Sequence, residues 1–379
     1  MPGIYIHIPF CSRFCNYCDF YSRIYRENLA DQYTEALIRE AELRSSFFEG
    51  AEIDTIYIGG GTPSLLSAGQ LEKIVNGLKK NFFSGGNLRV KEFTIEVNPD
   101  DTDPDYYKEL LSLGINRLSI GIQSFCDDEL RWMNRRHTAA QALKSYYDAR
   151  AAGFTNISTD LIFGSGLDNG GNWRRNLKKI TELAPEHISA YQLGIESGTK
   201  LDRMVKEGRY SPADQEFCSE QYSLLQSTLM EAGYNQYEVS NFAREGYCSL
   251  HNSSYWNHTP YLGLGPSAHS YSGMTRSRNP KSLRAYTDAQ INGKTFVKIE
   301  KLSKKDIFNE KIMLSLRRIE GVDKEELKSF ASRQYYQTLM KNVSKALEKG
   351  DLEEEDNRLK IPAGKLFVSD SIIRELIIL

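Results

Sequence analysis

A chain of 379 residues is long enough for two or three domains with sizeable cores, and a 40% hydrophobic content suits a globular protein. With 48 basic against 50 acidic side chains and a formal net charge of −2, the composition excludes a protein built overall to neutralise nucleic-acid phosphates. Apolar runs such as residues 56–58 fall far short of the ~20 residues of a membrane span. No basic-then-apolar export segment precedes the first strand, so a cytoplasmic location is expected.

The chain opens on the apolar run Gly3-Ile-Tyr-Ile-His-Ile-Pro-Phe10, whose residues 4–8 read as a strand, and passes directly into Cys11-Ser-Arg-Phe-Cys15-Asn-Tyr-Cys18. A loop with cysteines four and three residues apart can curl its thiolates toward one point, as a cuboidal iron–sulfur cluster requires. A [4Fe–4S] cluster usually takes four cysteines; three leave one iron with an open position where a cofactor can bind. Other readings of these thiols are weaker. Structural zinc takes four ligands, commonly in paired knuckles, and Cys126, Cys218 and Cys248 are isolated. A redox pair of Cys15 and Cys18 leaves Cys11 without a role, and six cysteines in so long a chain make a poor disulfide framework. Cys11, Cys15 and Cys18 are therefore the expected metal ligands, in a reducing cytosol. The amino and carboxylate groups of S-adenosylmethionine can chelate an open iron, and one electron can then break a carbon–sulfur bond to give an adenosyl radical.

Further apolar or alternating runs at residues 55–58, 92–97, 117–122, 156–162 and 187–193 read as strands. Helical periodicity fills the gaps at 27–44, 67–81, 105–113, twice across 127–152, and at 172–183. Six strand-then-helix units predict an α/β fold with a parallel sheet, and a doubly wound open sheet and a partial barrel fit the string equally. Either puts chemistry at the carboxyl ends of the strands. Gly59-Gly60-Gly61-Thr62-Pro63 follows the second strand. Consecutive glycines let backbone approach a ligand closely, here the amino acid end of S-adenosylmethionine, although an ordinary tight turn reads the same way. Glu96 lies near the end of the third strand, Gln123 follows the fourth, Arg135 comes next and Asp160 lies in the fifth. Each alone is more often a structural polar group; as a set on successive strand ends they suit a ligand's ammonium, hydroxyl and carboxylate groups.

Past residue 196 come a helical pattern at 212–232 and a short strand. Then follow Cys248-Ser-Leu-His251-Asn252-Ser-Ser-Tyr255-Trp256-Asn-His258 and the glycine-rich turns of Gly263-Leu-Gly-Pro-Ser-Ala-His269. Histidines beside aromatic rings suit haem, with imidazole at the iron and rings over a flat macrocycle; a buried loop whose histidines satisfy backbone carbonyls is the competing reading. Residues 276–305 hold nine Lys or Arg against two acids and read as a solvated basic connector. Helical patterns at 303–317, 324–330 and 335–349, an acidic hairpin at Leu352-Glu-Glu-Glu-Asp and a last amphipathic helix from about residue 370 predict a small winged-helix-like domain. The acidic hairpin argues against DNA phosphates and for a lid or docking role. The expected division is 1–272, a connector at 273–302, and 303–379.

Tyr5-Ile-His-Ile-Pro-Phe-Cys11, the C-x3-C-x2-C loop, the triple glycine, Gly121-Ile-Gln-Ser and Asp160-Leu-Ile-Phe-Gly together resemble the radical S-adenosylmethionine family of oxygen-independent coproporphyrinogen oxidases and their relatives, over nearly the whole chain. The resemblance implies a partial six-unit (β/α) barrel with Cys11, Cys15 and Cys18 on a [4Fe–4S] cluster. It also implies that Tyr5, Tyr17, Gly60, Gly61, Thr62, Glu96, Gln123, Arg135 and Asp160 contact S-adenosylmethionine. Two features select a branch. The oxidases carry a further cysteine two residues after the third ligand, where this chain has Phe20, and an N-terminal extension before a motif that here starts at residue 4. His251-Asn252-x-x-Tyr255-Trp256 matches instead the HNxxYW signature of the haem chaperone (HemW) branch. That branch implies haem as cargo, His251 on the haem side, and Asn252, Tyr255 and Trp256 shaping its site. It implies haem-receiving clients such as respiratory cytochromes, some of them at membranes, no nucleic acid, and leaves room for a homodimer. The alternative is an enzyme, oxidative decarboxylation of coproporphyrinogen III. Gly164-Ser-Gly-Leu departs from the family's usual Gly-Leu-Pro, which puts contacts from that turn in doubt.

Overall fold

The computed structural model describes residues 1–168, 171–294 and 297–378. Six parallel strands stand where the alternation marks them: β1 (Gly3–Ile8), β2 (Thr55–Gly60), β3 (Glu92–Val97), β4 (Arg117–Gln123), β5 (Ile157–Phe163) and β6 (His187–Gln192). Between them run α1 (Glu27–Leu43), α2 (Ala68–Phe82), α3 (Pro104–Ser112), α4 (Asp127–Trp132), α5 (Ala139–Ala152) and α6 (Gly171–Leu183). Local chemistry sets several of their ends. Ser67 with Gln70 and Thr138 with Gln141 form capping boxes, and Asp103 caps the amides of Asp105 and Tyr106 ahead of Pro104.

The register of β1 to β6 puts one set of alternate residues on each face. Ile4, Ile6, Ile56, Ile58, Phe93, Ile95, Leu118, Ile120, Ile157, Leu161 and Ile188 join helix residues such as Leu37, Leu71, Leu110 and Leu177 in one core. The opposite face carries Tyr57, Glu96, Arg117, Ser119, Ser158, Asp160, Ser189 and Tyr191, and all of these line a single cavity. A doubly wound sheet needs apolar residues on both faces, because helices cover both. Here one face is apolar and the other polar around a shared hollow, which is the partial-barrel solution.

The sheet is larger than the six units. After α7 (Lys200–Lys206) and α8 (Gln215–Glu231), β7 (Asn235–Gln236) and β8 (Asn241–Ala243) extend it beyond β6. After α9 (Leu250–Trp256), β9 (Tyr261–Leu264) returns parallel to β1. Then β10 (His269–Tyr271) and β11 (Thr275–Arg278) add antiparallel strands, and α10 (Leu283–Ile291) leads to β12 (Lys298–Lys301) at the edge. The order is β12-β11-β10-β9-β1-β2-β3-β4-β5-β6-β8-β7. Gly263, expected in a turn, lies within β9, where a Cβ would stand 2.0 Å from the His269 carbonyl oxygen.

The basic stretch is therefore not a free connector; of it, residues 295 and 296 lie outside the described residues. Arg276 and Arg278 lie on β11, and Lys298 and Lys301 on the edge strand β12, where lysine is a usual protection against further pairing. Arg276 pairs with Glu310 at 2.6 Å, and Tyr286 on α10 donates to the buried Glu40 of α1 at 2.7 Å.

The remainder comprises α11 (Lys304–Leu316), β13 (Val322–Asp323), α12 (Lys324–Phe330), α13 (Arg333–Glu348), β14 (Glu353–Glu355), β15 (Arg358–Lys360) and α14 (Ser369–Leu376). Its antiparallel sheet β13-β15-β14 behind three helices has the winged-helix order. The hairpin acids are paired within the unit, Glu354 with Lys324 and Glu353 with Lys360. An amide from Val239 to the Arg317 carbonyl, 3.0 Å, ties the unit to the sheet. Among the described residues no helix is long and apolar enough to cross a membrane.

Candidate functional site

The cysteine loop closes the carboxyl end of the barrel and is pinned from outside itself. The Asn16 amide donates to the Met133 carbonyl at 3.1 Å, the Leu201 amide donates to the Asn16 carbonyl at 2.8 Å, and Asn134 donates to the Phe14 carbonyl at 2.7 Å. Cys11, Cys15 and Cys18 are all free thiols lining one end of a cavity of about 620 Å³. Thr62 donates to the Cys11 sulfur at 3.6 Å and Arg135 to the Cys15 sulfur at 3.5 Å. Burial pushes the Cys18 thiol up to about 12, with the charges of Cys15 and Cys11 adding to it, so the three sulfurs share one neighbourhood. Thiolates there need a compensating positive charge, which iron supplies. Among the described residues no three His, Cys, Asp or Glu side chains converge on a point fit for a single ion. A cubane spreads its thiolates over separate irons, so three cysteines around a cavity end suit it better than they suit one metal ion.

The glycine turn lies beside this loop. Gly60 adopts φ +111°, and a Cβ on Gly61 would come within 2.6 Å of the Phe10 carbonyl oxygen. The Gly60 amide donates to one oxygen of Glu96 at 3.0 Å and Tyr57 to the other at 2.9 Å. Burial still dominates this carboxyl and pushes it up to about 7; burial likewise raises Asp160 to about 6 although Ser119 donates to it at 3.1 Å. Arg135 forks to Asn98 at 2.6 Å and the Gly121 carbonyl at 2.8 Å. Gln123 sits at φ +65°, where the register of β4 against β5 slips, and this strained backbone aims its amide at the cavity.

Tyr17, Gly60, Gly61, Thr62, Glu96, Gln123, Arg135 and Asp160 thus line one cavity together with the three cysteines. Tyr5 does not. Its hydroxyl bonds the His7 ring at 3.0 Å and its ring stacks behind Tyr57, centroids 6.2 Å apart. Among the residues that the sequence reading missed, Tyr57, Asn98, Arg117, Ser119, Ser158 and Ser189 also line it. The available signal was polar residues at every second position of otherwise apolar strands.

Residues 5–171 match the radical SAM superfamily. The haem chaperone HemW of Bacillus subtilis is 35% identical over 86% of this chain and 86% of its own length. That of Mycobacterium tuberculosis is 30% identical over 99% of this chain and 94% of its own. The chain belongs to the HemW family. Zebrafish mitochondrial radical S-adenosyl methionine domain-containing protein 1 is 32% identical over 87% of this chain and 76% of its own. The solved coproporphyrinogen III oxidase HemN of Escherichia coli superposes with a TM-score of 0.85 at 24% identity, over 99% of this chain and 90% of that one, and shows the same fold. Membership of the radical SAM superfamily implies a [4Fe–4S] cluster and S-adenosylmethionine, and the cavity's donors fit both.

The HNxxYW segment of this HemW relative is a helix, α9, and not a loop. Glu92 fixes its start, accepting from the amides of Leu250 at 2.7 Å and His251 at 3.1 Å. His251 is fully buried, with Nδ1 against Thr55 at 2.8 Å, Nε2 against Tyr255 at 2.9 Å and its ring stacked on Tyr57. Both ring nitrogens of His251, expected on the haem side, are engaged within the fold, bracing α9 against β2. Burial, with Arg117 nearby, lowers it to about 3, so the imidazole is neutral. Asn252 reaches the main cavity, whereas Trp256 lines a separate cleft of about 310 Å³ with Tyr222, Phe367 and Arg317. His258 stacks on Tyr271 and meets Glu310 at 3.1 Å, and His269 lies exposed on β10, so the three histidines do not converge.

Proposed function

We propose that this chain is a haem chaperone that holds a [4Fe–4S] cluster and S-adenosylmethionine in the barrel and passes haem to haem-dependent enzymes, respiratory ones among them. The observation that carries the reading is the pairing of a complete cluster loop with Phe20, exposed, where the oxidases carry a further cysteine. Relatives named haem chaperones over most of the chain support it. Cys11, Cys15 and Cys18 hold the cluster, and Thr62 and Arg135 orient the sulfurs of Cys11 and Cys15. Glu96, Gln123, Arg135 and Asp160 receive S-adenosylmethionine; a cationic ligand beside the two raised carboxyls draws them back toward ionisation. S-adenosylmethionine, when bound, supplies radical chemistry or simply orders the loop. Asn252 and Trp256 are the haem-side residues of α9, with His251 and Tyr255 holding the helix in place.

Anaerobically reconstituted protein, split between a haem titration and an assay for porphyrinogen decarboxylation, tests this. Saturable haem binding with no decarboxylation is expected. Turnover of coproporphyrinogen III without haem capture overturns the reading in favour of the oxidase.

A further inference from the structure

At the amino end of β4, away from the cysteine loop, the cavity holds a guanidinium whose hydrogen-bonding capacity the protein leaves unused. Arg117, the first residue of β4, is 1% exposed, yet its side chain lines the cavity. Its Nε and Nη2 are buried without a hydrogen-bond partner among the described residues. Of the other guanidinium groups lining the cavity, Arg135 is committed to Asn98 and the Gly121 carbonyl and Arg136 to Asp100 and Asp101, while Arg13 lies exposed on the cysteine loop. Asp160 shares the space with Arg117 and feels its charge, but its hydrogen bonds come from Ser119 and Ser189 and leave Arg117 Nε and Nη2 unbonded. The imidazoles nearby are held neutral by burial and bonded elsewhere, His187 to Ser158 and Tyr237, His251 to Thr55 and Tyr255.

A buried guanidinium with two nitrogens left unbonded is costly, and its planar fork matches a carboxylate. We propose that this end of the cavity is a carboxylate subsite, where Arg117, with Ser158 and Ser189 beside it, receives a carboxylate of an organic ligand bound alongside S-adenosylmethionine. A monoanion fits better than a phosphate dianion, because Asp160 and Glu96 also line the cavity and repel a second negative charge. The propionate arms of a tetrapyrrole belong to this class. That identity rests on the haem reading; the subsite does not.

The test is equilibrium urea denaturation of anaerobically reconstituted, full-length protein in sodium propionate, in sodium chloride of equal ionic strength and in neutral propionamide. At ten times its dissociation constant propionate multiplies the folded-to-unfolded ratio about elevenfold, and the other two leave it at its baseline. Arg117→Met loses the propionate effect. Arg117→Lys, which keeps charge but not the fork, weakens propionate at least about tenfold. With saturating S-adenosylmethionine the propionate effect persists. Equal effects of propionate and chloride would mean a merely hydrated arginine and overturn the proposal. So would an effect that survives Arg117→Met, an unchanged affinity in Arg117→Lys, or one that S-adenosylmethionine abolishes. A failed haem titration with a positive propionate series would remove the cargo and leave the subsite.

Discussion

Glu96 offers the most quantitative test of how the cavity works. Its carboxyl is half-buried on the inward face of β3 and pushed up to about 7 from an ordinary 4.5, desolvation outweighing the bonds from Tyr57 and Gly60. That gap corresponds to about 3 kcal/mol. Because the folded carboxyl holds its proton more tightly than the unfolded one, the native state binds more protons between these two values. Its contribution to stability therefore falls as pH rises through that window, and the loss is complete above about 7. Glu96→Gln cannot ionise and mimics the protonated group, with one oxygen left to accept from Tyr57 or Gly60. Its stability relative to wild type should rise by about 3 kcal/mol between pH 4.5 and pH 8, less about 1 kcal/mol at every pH for the displaced bond. Asp160, also raised, is present in both proteins and cancels to first order. Urea denaturation of cluster-free, reduced protein across this range measures the difference. Parallel profiles for the two proteins would refute the claim that burial governs this carboxyl.

Three other substitutions probe neighbouring claims. His251→Phe leaves Thr55 and Tyr255 without their shared partner and should cost about 2–4 kcal/mol of stability, while the Soret maximum of bound haem stays where it is in wild type; a moved Soret band would restore His251 to the iron. Gly61→Ala drives a Cβ to within 2.6 Å of the Phe10 carbonyl oxygen, so S-adenosylmethionine binding by calorimetry should fall at least about tenfold and the denaturation midpoint should drop. Gln123→Gly relieves backbone at φ +65° and should gain about 1 kcal/mol in stability while weakening S-adenosylmethionine, which separates strain kept for binding from strain without use.

The six central strands and their helices were legible because each strand alternates and each helix repeats with its own period. The cluster loop was legible because cysteine spacing is chemistry written locally. What stayed hidden depends on residues far apart in sequence. Strand β9 carries Gly263 to let the His269 backbone approach, which reads as a turn in one dimension. Strands β11 and β12 look like a solvated linker because they are short and carry charged residues at the sheet's edge and beside it. The histidines of residues 251–269 looked like a haem site by spacing, yet Thr55, Tyr255 and Glu310 each claim ring nitrogens from elsewhere in the fold. Tyr5 belongs to a quoted motif but points behind Tyr57. Arg117 gave no signal, since its weight comes only from two nitrogens left without a hydrogen bond among the described residues.

Electron paramagnetic resonance of the anaerobically reconstituted, dithionite-reduced protein, recorded before and after S-adenosylmethionine is added, bears most directly on the cavity as a radical SAM site. A reduced [4Fe–4S] signal that changes shape on addition, and that is lost in Cys15→Ala, is the expected result. A cluster signal indifferent to S-adenosylmethionine, or no cluster at all, would contradict it.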